Sequence, residues 1–295
     1  MNEFLNALSV GVVNASVISI ATVGFSLQFG ITNYINIAYG DFLTFGAFFW
    51  YAFAVGLGVE LWISAVLAVL GTGLMAVAVS RGVFTPILRR RATKPFILMI
   101  ASFGMAVMLE NILLAIYGSS FVTIPARGNA NVISIGGFQL SGNQLSVVLI
   151  VVAVMFGIRF LLTRTKLGKA MRAMSDDDQL AQNCSINTRL ITDWTWLITG
   201  MIAGIAGCVL ALQTVNINDT SGSSELWLII PASFAGGIGN PYGAVAGATT
   251  LGFGIALTDT YLGGQYDIIV GGLLLGAVIL LRPQGLFASA RKALV

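Results

Sequence analysis

The sequence predicts an all-α fold, a polytopic transmembrane helical bundle with about eight or nine membrane spans, some of them broken or re-entrant. Three observations predict it. Only 9% of the 295 residues are Asp, Glu, Lys or Arg, against about 25% in soluble domains, so no ordinary water-facing surface can be built. Hydrophobic residues make up 57% and the mean hydropathy is +0.90. Charge-free intervals separate Glu3 from Asp41, Glu60 from Arg81, Asp193 from Asp219, and Glu225 from Asp259. A helix needs roughly 20 apolar residues to cross the hydrocarbon core, and these intervals supply that length repeatedly.

Helices rather than barrel strands follow from runs such as Val147-Val148-Leu149-Ile150-Val151-Val152-Ala153-Val154, which lack the alternation of a membrane β-strand. In chain order the hydrophobic spans are 5–29, 38–56, 61–80, 95–117, 143–163, 190–213, 226–239, 241–258 and 266–281. The second and seventh are short, Gly-rich or flanked by Pro, and are the candidates for broken or re-entrant segments. The whole chain, 1–295, reads as one transmembrane domain. Met1-Asn2-Glu3 has no basic n-region, so the first span is expected to stay in the mature protein.

Lys and Arg orient the bundle. Arg81, Arg89, Arg90, Arg91 and Lys94 fall in one loop, and Arg164, Lys166, Lys169, Arg172 and Arg189 in a second. Arg282, Arg291 and Lys292 close the chain. Basic loops stay cytoplasmic, which puts the C-terminus inside; nine full crossings then put the N-terminus outside. Only Arg127 falls in a predicted outer loop.

Two connections are long enough to have shapes of their own. The outer one, about 118–142, has β-prone pieces on either side of Gly136-Gly137 and predicts a small hairpin. The inner one, about 164–189, predicts a short helix on which Leu167, Met171 and Met174 make one apolar stripe. Its basic start and its acidic finish at Asp176-Asp177-Asp178 run against the helix dipole. The segment therefore needs a partner, or starts a new helix at the aspartates. An interfacial helix lying on anionic lipid and a docking helix for a cytoplasmic protein both fit this pattern.

Few residues offer chemistry. There is no histidine, and Cys184 and Cys208 are the only cysteines, so zinc sites and histidine acid–base catalysis lack their usual parts. No cofactor, metal or nucleic-acid partner is expected. Gly237-Ile238-Gly239 with Gly243 has the wrong spacing and context for a dinucleotide turn. No P-loop pattern occurs, so any ATP hydrolysis must come from another subunit. Glu110 is a carboxylate within a span, where charge is costly, and is expected to face the bundle interior against a polar group or an aqueous path. Asp193 reads as a helix-start or interface carboxylate. The stretch from Gly30 to Ala47 holds Asn36, Tyr39 and Asp41 between apolar spans, and Pro231 to Ala248 holds Asn240-Pro241. Polar, helix-breaking residues at membrane depth are tolerated where they are buried in protein or line a cavity, and paired interruptions often flank a transport path.

Four segments together resemble a known family. Asn36-Ile37-Ala38-Tyr39-Gly40-Asp41-Phe42-Leu43-Thr44-Phe45-Gly46-Ala47 and Thr165-Lys166-Leu167-Gly168-Lys169-Ala170-Met171-Arg172-Ala173 are similar to stretches of the branched-chain amino acid ABC transporter permeases of the LivH/LivM type. So are Ser233-Phe234-Ala235-Gly236-Gly237-Ile238-Gly239-Asn240-Pro241-Tyr242-Gly243-Ala244 and Leu281-Arg282-Pro283-Gln284-Gly285-Leu286-Phe287. They occur in the family's order and cover nearly the whole chain. The family usually carries histidine where Tyr39 stands.

The resemblance implies a permease subunit of an importer in the plasma (inner) membrane, without enzymatic chemistry of its own. Its expected partners are a second homologous permease, two cytoplasmic ATP-binding subunits, an extracytoplasmic solute-binding protein and membrane lipid. Branched-chain or other hydrophobic amino acids are the implied cargo, with urea or short amides as the alternative within the family. An ion-coupled secondary transporter is the competing class, and Glu110 its strongest candidate carboxylate. The substrate-pathway candidates are Asn36, Tyr39, Asp41, Glu110 and Asn240. The ATPase-coupling candidates are Leu167, Gly168, Lys169, Ala170, Met171, Arg172, Asp176, Asp177 and Asp178.

Overall fold

A computed structural model of the chain describes residues 2–88, 94–119, 121–124, 132–135, 138–214, 216–261, 263–282 and 285. Arg89, Arg90, Arg91, Arg127, Gly136-Gly137, Pro283-Gln284, Leu286-Phe287, Arg291 and Lys292 lie outside the described residues. Helix α1 runs Asn2–Thr32, α2 Tyr39–Tyr51 with a π-turn over Ala52–Gly56, and α3 Leu61–Val79 with a π-turn over Ser80–Phe84 leading into α4, Thr85–Leu88. Helix α5 is Pro95–Tyr117, α6 Gly142–Arg164, α7 Lys166–Asp176, α8 Asp178–Asn183 and α9 Thr188–Thr214. Helices α10, α11 and α12 cover Ser221–Gly236, Pro241–Tyr261 and Asp267–Leu281. Short strands β1 (Val122–Thr123) and β4 (Asn216–Ile217) pair antiparallel, and β2 (Val132–Ile135) and β3 (Phe138–Ser141) form the expected hairpin in the register Ile135↔Phe138.

Each hydrophobic interval of the sequence coincides with a helix. Among the described residues five helical stretches are long and apolar enough to cross a membrane: Val10–Thr32, Leu61–Leu88, Pro95–Tyr117, Leu145–Arg164 and Thr188–Thr214. Helices α2 and α10 have only 13 and 16 residues. Helix α10 begins five residues ahead of the apolar stretch because Ser221, Gly222, Ser223 and Ser224 already adopt helix there, with Ser224 N–H donating to the Thr220 carbonyl.

The chain divides into two compact units. One takes Met1–Ser26, Gly128–Val151 and Trp227–Val295; the other takes Leu27–Arg127 and Val152–Leu226. In the first, Ile18 of α1, Ala232 of α10, and Ala248, Leu251 and Ile255 of α11 form a buried cluster. Gly236 of α10 and Gly243 of α11 are in backbone contact across the turn at 237–240, where Gly237 (φ 99°) and Gly239 (φ 83°) hold left-handed conformations that favour glycine.

In the second unit, α2, α3 and α9 pack through small side chains. The buried face of α3 is Ser64, Ala68, Thr72, Gly73 and Ala76, while Leu70 and Leu74 are exposed. Phe103 of α5 and Phe156 and Phe160 of α6 are exposed in the same way. This pattern suits a protein in lipid, where large apolar groups gain nothing by turning inward and small ones let backbones approach. Gly46 of α2 meets Gly204 of α9, where an added Cβ would lie 2.6 Å from the Gly204 Cα. A Cβ at Gly207 would run into the Leu43 carbonyl.

These contacts make a paired prediction. Gly207→Leu should destabilise the chain by about 1–3 kcal/mol, the usual cost of overpacking, whereas Gly104→Leu on α5, with nothing within 4 Å, should not. Thermal unfolding of the two detergent-purified variants checks this, and equal midpoints would refute the packing.

Candidate functional site

Two regions of the second unit carry the residues that the sequence singles out. The first is the break between α1 and α2. Helix α1 stops at Thr32 because Asn33 adopts a left-handed conformation (φ 55°), a geometry asparagine tolerates better than most residues. The chain then runs without regular structure until α2 starts at Tyr39. One of its freed backbone groups finds a partner on α5: Ser102 Oγ accepts from Ile37 N–H at 3.0 Å, while its own proton is directed to the Met99 carbonyl of α5 at 2.7 Å, with the Ile35 carbonyl farther off at 3.3 Å. Ser102 is fully buried. One hydroxyl thus holds the break through the Ile37 N–H.

Asn36, Tyr39 and Asp41 are each about 1% exposed. Asn36 Nδ2 donates to Gln28 Oε1 on α1 at 3.3 Å. Neither Asp41 oxygen has a hydrogen-bond partner among the described residues. Asp41 lies in the first turn of α2, where the positive end of the helix dipole favours a carboxylate. Thr44 Oγ1 accepts from Gly222 N–H at 3.0 Å, so α2 caps the start of α10, and Gly40 and Gly222 are in close backbone contact. Glu110 is half-buried on α5, near enough to Asp41 for the two carboxylates to repel. The polar partner expected for Glu110 is not formed among the described residues.

Asn240 belongs to the first unit. It sits half-buried in the turn between α10 and α11, where its Oδ1 accepts from Tyr242 N–H at 3.1 Å. Gly239 N–H in the same turn donates to Ser26 Oγ of α1 at 3.0 Å.

The second region is the segment after α6. Thr165 Oγ1 accepts from Gly168 N–H at 2.9 Å, capping α7. Gly168 packs directly on the backbone of Leu161 and Leu162, where a Cβ would lie 2.5 Å from the Leu162 Cα. Glycine here lets α7 fold back sharply against the end of α6. Met171 and Met174 are buried, Leu167 and Ala170 half-buried, and Lys166, Lys169 and Arg172 exposed. The acidic finish is resolved by a new helix: Asp177 Oδ1 caps α8 by accepting from Leu180 N–H at 2.9 Å. Asp178 Oδ2 accepts from Gln182 Nε2 at 3.1 Å. Asp176, Asp177 and Asp178 are exposed, as is Leu180. Both short helices pack on α9.

Asp193 of α9 forms an ion pair with Arg81 at 2.7 Å. The partners are 112 residues apart, so no local pattern announces the pair. Gln28, Thr44 and Ser102 were not singled out by the sequence either. Gln28 had a signal, a lone amide within a long apolar helix. Ser102 and Thr44 had none, since hydroxyls within membrane helices commonly bond the carbonyl four residues back.

A profile of the family described as "Branched-chain amino acid transport system / permease component" matches residues 7–281. The chain is 27% identical to the high-affinity branched-chain amino acid transport system permease protein BraD of Pseudomonas aeruginosa, over 97% of this chain and 95% of the relative. It is 28% identical to the corresponding permease protein LivH of Salmonella typhimurium, over 96% and 95%. It is 22% identical to the permease protein LivM of Escherichia coli, over 92% and 68%. These relatives are permeases of transport systems rather than enzymes.

The staple at Ser102 yields a prediction. Ser102→Ala leaves the Ile37 N–H without its partner, at about 1–3 kcal/mol for a buried unsatisfied group. Hydrogen exchange at the Ile37 amide should accelerate by tenfold or more, about 1.4 kcal/mol. An unchanged rate would show that the hydroxyl does not hold the break.

Proposed function

Because the chain belongs to the permease-component family of branched-chain amino acid transport systems, we propose that it is a membrane-spanning subunit of an ATP-driven importer. In this reading it passes branched-chain or other hydrophobic amino acids from a solute-binding protein into the cytoplasm. A second homologous permease completes the path, and two cytoplasmic ATP-binding subunits supply the energy. The observation that carries the reading is the segment α7–α8. Its inner face is seated on α6 and α9, while Lys166, Lys169 and Arg172, followed by Asp176 to Asp178, are exposed on the other. A surface helix anchored in this way transmits displacement rather than absorbing it.

Eight or nine crossings, all within one permease domain, accommodate the contacts that follow. The β1–β4 pair needs the α5–α6 and α9–α10 connections on one side. The Arg81–Asp193 pair needs the end of α3 and the start of α9 on the other. With basic connections inside, the C-terminus and α7–α8 are cytoplasmic, and nine full crossings put the N-terminus outside. Helix α1, with 31 residues, is about 46 Å long at 1.5 Å per residue, ample for one crossing. The hairpin β2–β3 and the β1–β4 pair then face the binding protein.

Asn36, Tyr39, Asp41 and Glu110, with Asn240, remain the residues we assign to the solute path. The first three are enclosed within the chain, so their part in transport requires the α1–α2 break to open. Alternating access supplies such a movement, since a path that changes sides need hold its cargo only weakly while the binding protein supplies selectivity.

Reconstitution with the ATPases, the second permease and the binding protein tests the proposal. Leucine-loaded binding protein should stimulate ATP hydrolysis and drive uptake into proteoliposomes; uptake by the lone chain on an ion gradient would defeat it. Lys169→Glu combined with Arg172→Glu should lower the stimulated hydrolysis about tenfold, the equivalent of ~1.4 kcal/mol, without loss of folded protein. Gly168→Leu should cut uptake per ATP, because α7 can no longer seat on α6.

A further inference from the structure

Three aromatic rings lie in series between the helix that bears α7–α8 and the α1–α2 break. Trp196 of α9 packs on Phe84, at the end of α3, with ring centroids 5.1 Å apart and planes at 32°. Phe84 stacks on Tyr34, inside the break, at 5.6 Å and 26°. Phe42 of α2 meets the opposite end of the series, edge-on to Trp196 at 6.1 Å and 89°. All four are at most 3% exposed. The stack is therefore dry and close-packed, and such packing passes on a displacement.

We infer that Tyr34, Phe84 and Trp196 are positioning residues that make the α1–α2 break follow the movement of α9. The inference rests on the coupling role proposed for α7 and α8. Each end of the stack is tied to something able to move. Trp196 belongs to the helix on which α7 and α8 pack and whose start is fastened to Arg81. Tyr34 belongs to the non-helical segment between α1 and α2, which Ser102 holds at the Ile37 N–H and Gln28 at the Asn36 side-chain amide. Phe84 closes a π-turn, Ser80–Phe84, a local irregularity often found at functional sites. Rings, not polar atoms, carry the link: the Tyr34 hydroxyl has no hydrogen-bond partner among the described residues.

The test compares hydrogen exchange in the full chain, reconstituted in lipid nanodiscs, at two places. Trp196→Leu should speed exchange at the Ile37 amide about fivefold while leaving the β1–β4 amides of Thr123 and Asn216 as they were. Trp196→Phe should restore the native rate, and Tyr34→Phe should not change it. Phe84→Leu provides the same reading if Trp196→Leu folds poorly. An unchanged Ile37 rate, or an equal rise at Thr123 and Asn216, would overturn the inference, the second by showing general loosening. In the reconstituted transporter the Leu variants should keep binding-protein-stimulated hydrolysis and lose uptake per ATP by a similar factor; uptake per ATP equal to the parent's would also overturn it. Absence of ATP-driven uptake by the parent complex would instead bring down the proposed function, with the exchange result standing apart.

Discussion

A backbone that leaves the helix inside a membrane has no water to bond with, and each unpaired group there costs several kcal/mol. Where the chain leaves its helices, three places are met by a hydroxyl side chain from another element. Ser102 serves the segment between α1 and α2. Thr44 accepts from the first turn of α10, and Ser26 from the turn between α10 and α11. Ser102 and Thr44 donate to carbonyls of their own helices, Met99 at 2.7 Å and Gly40 at 3.5 Å, while accepting from other elements. Their recruitment to other elements is what makes non-helical chain possible at these places.

Around the breaks the fold is organised by size rather than by polarity. Helix α3 turns serine, alanine, threonine and glycine inward and leaves Leu70 and Leu74 outside, and α2, α3 and α9 approach one another at Gly46, Gly73, Gly200, Gly204 and Gly207. Backbones in contact, as at Gly46 with Gly204, leave little room to slide. Asn36, Tyr39 and Asp41 lie buried at the break between α1 and α2, beside this close-packed region.

The segment α7–α8 shows how two conflicting local signals are reconciled. Basic residues at a helix start and acidic ones at its end oppose the dipole. The chain answers with Thr165 as a cap, a glycine that brings α7 onto α6, and a fresh start at Asp177. Charge that disfavours one long helix suits two short ones. The exposed face then carries cations followed by anions.

Much of this was legible in the chain alone. Hydrophobic length determined the helices and their order, since crossing lipid requires a run of apolar residues that no turn interrupts. Gly136-Gly137 between β-prone pieces marked the hairpin, and Met171 and Met174 marked the buried side of α7. The start of α10 was not legible, because Ser-Gly-Ser-Ser-Glu reads as loop until Thr44 caps it. Only the tertiary structure paired Arg81 with Asp193, brought Ser102 to the break, and aligned Tyr34, Phe84 and Trp196. These residues are far apart in sequence and ordinary in type. Their roles arise from which helices lie side by side, and in lipid that is decided by close fit between small side chains, for which hydrophobicity along the chain leaves no trace.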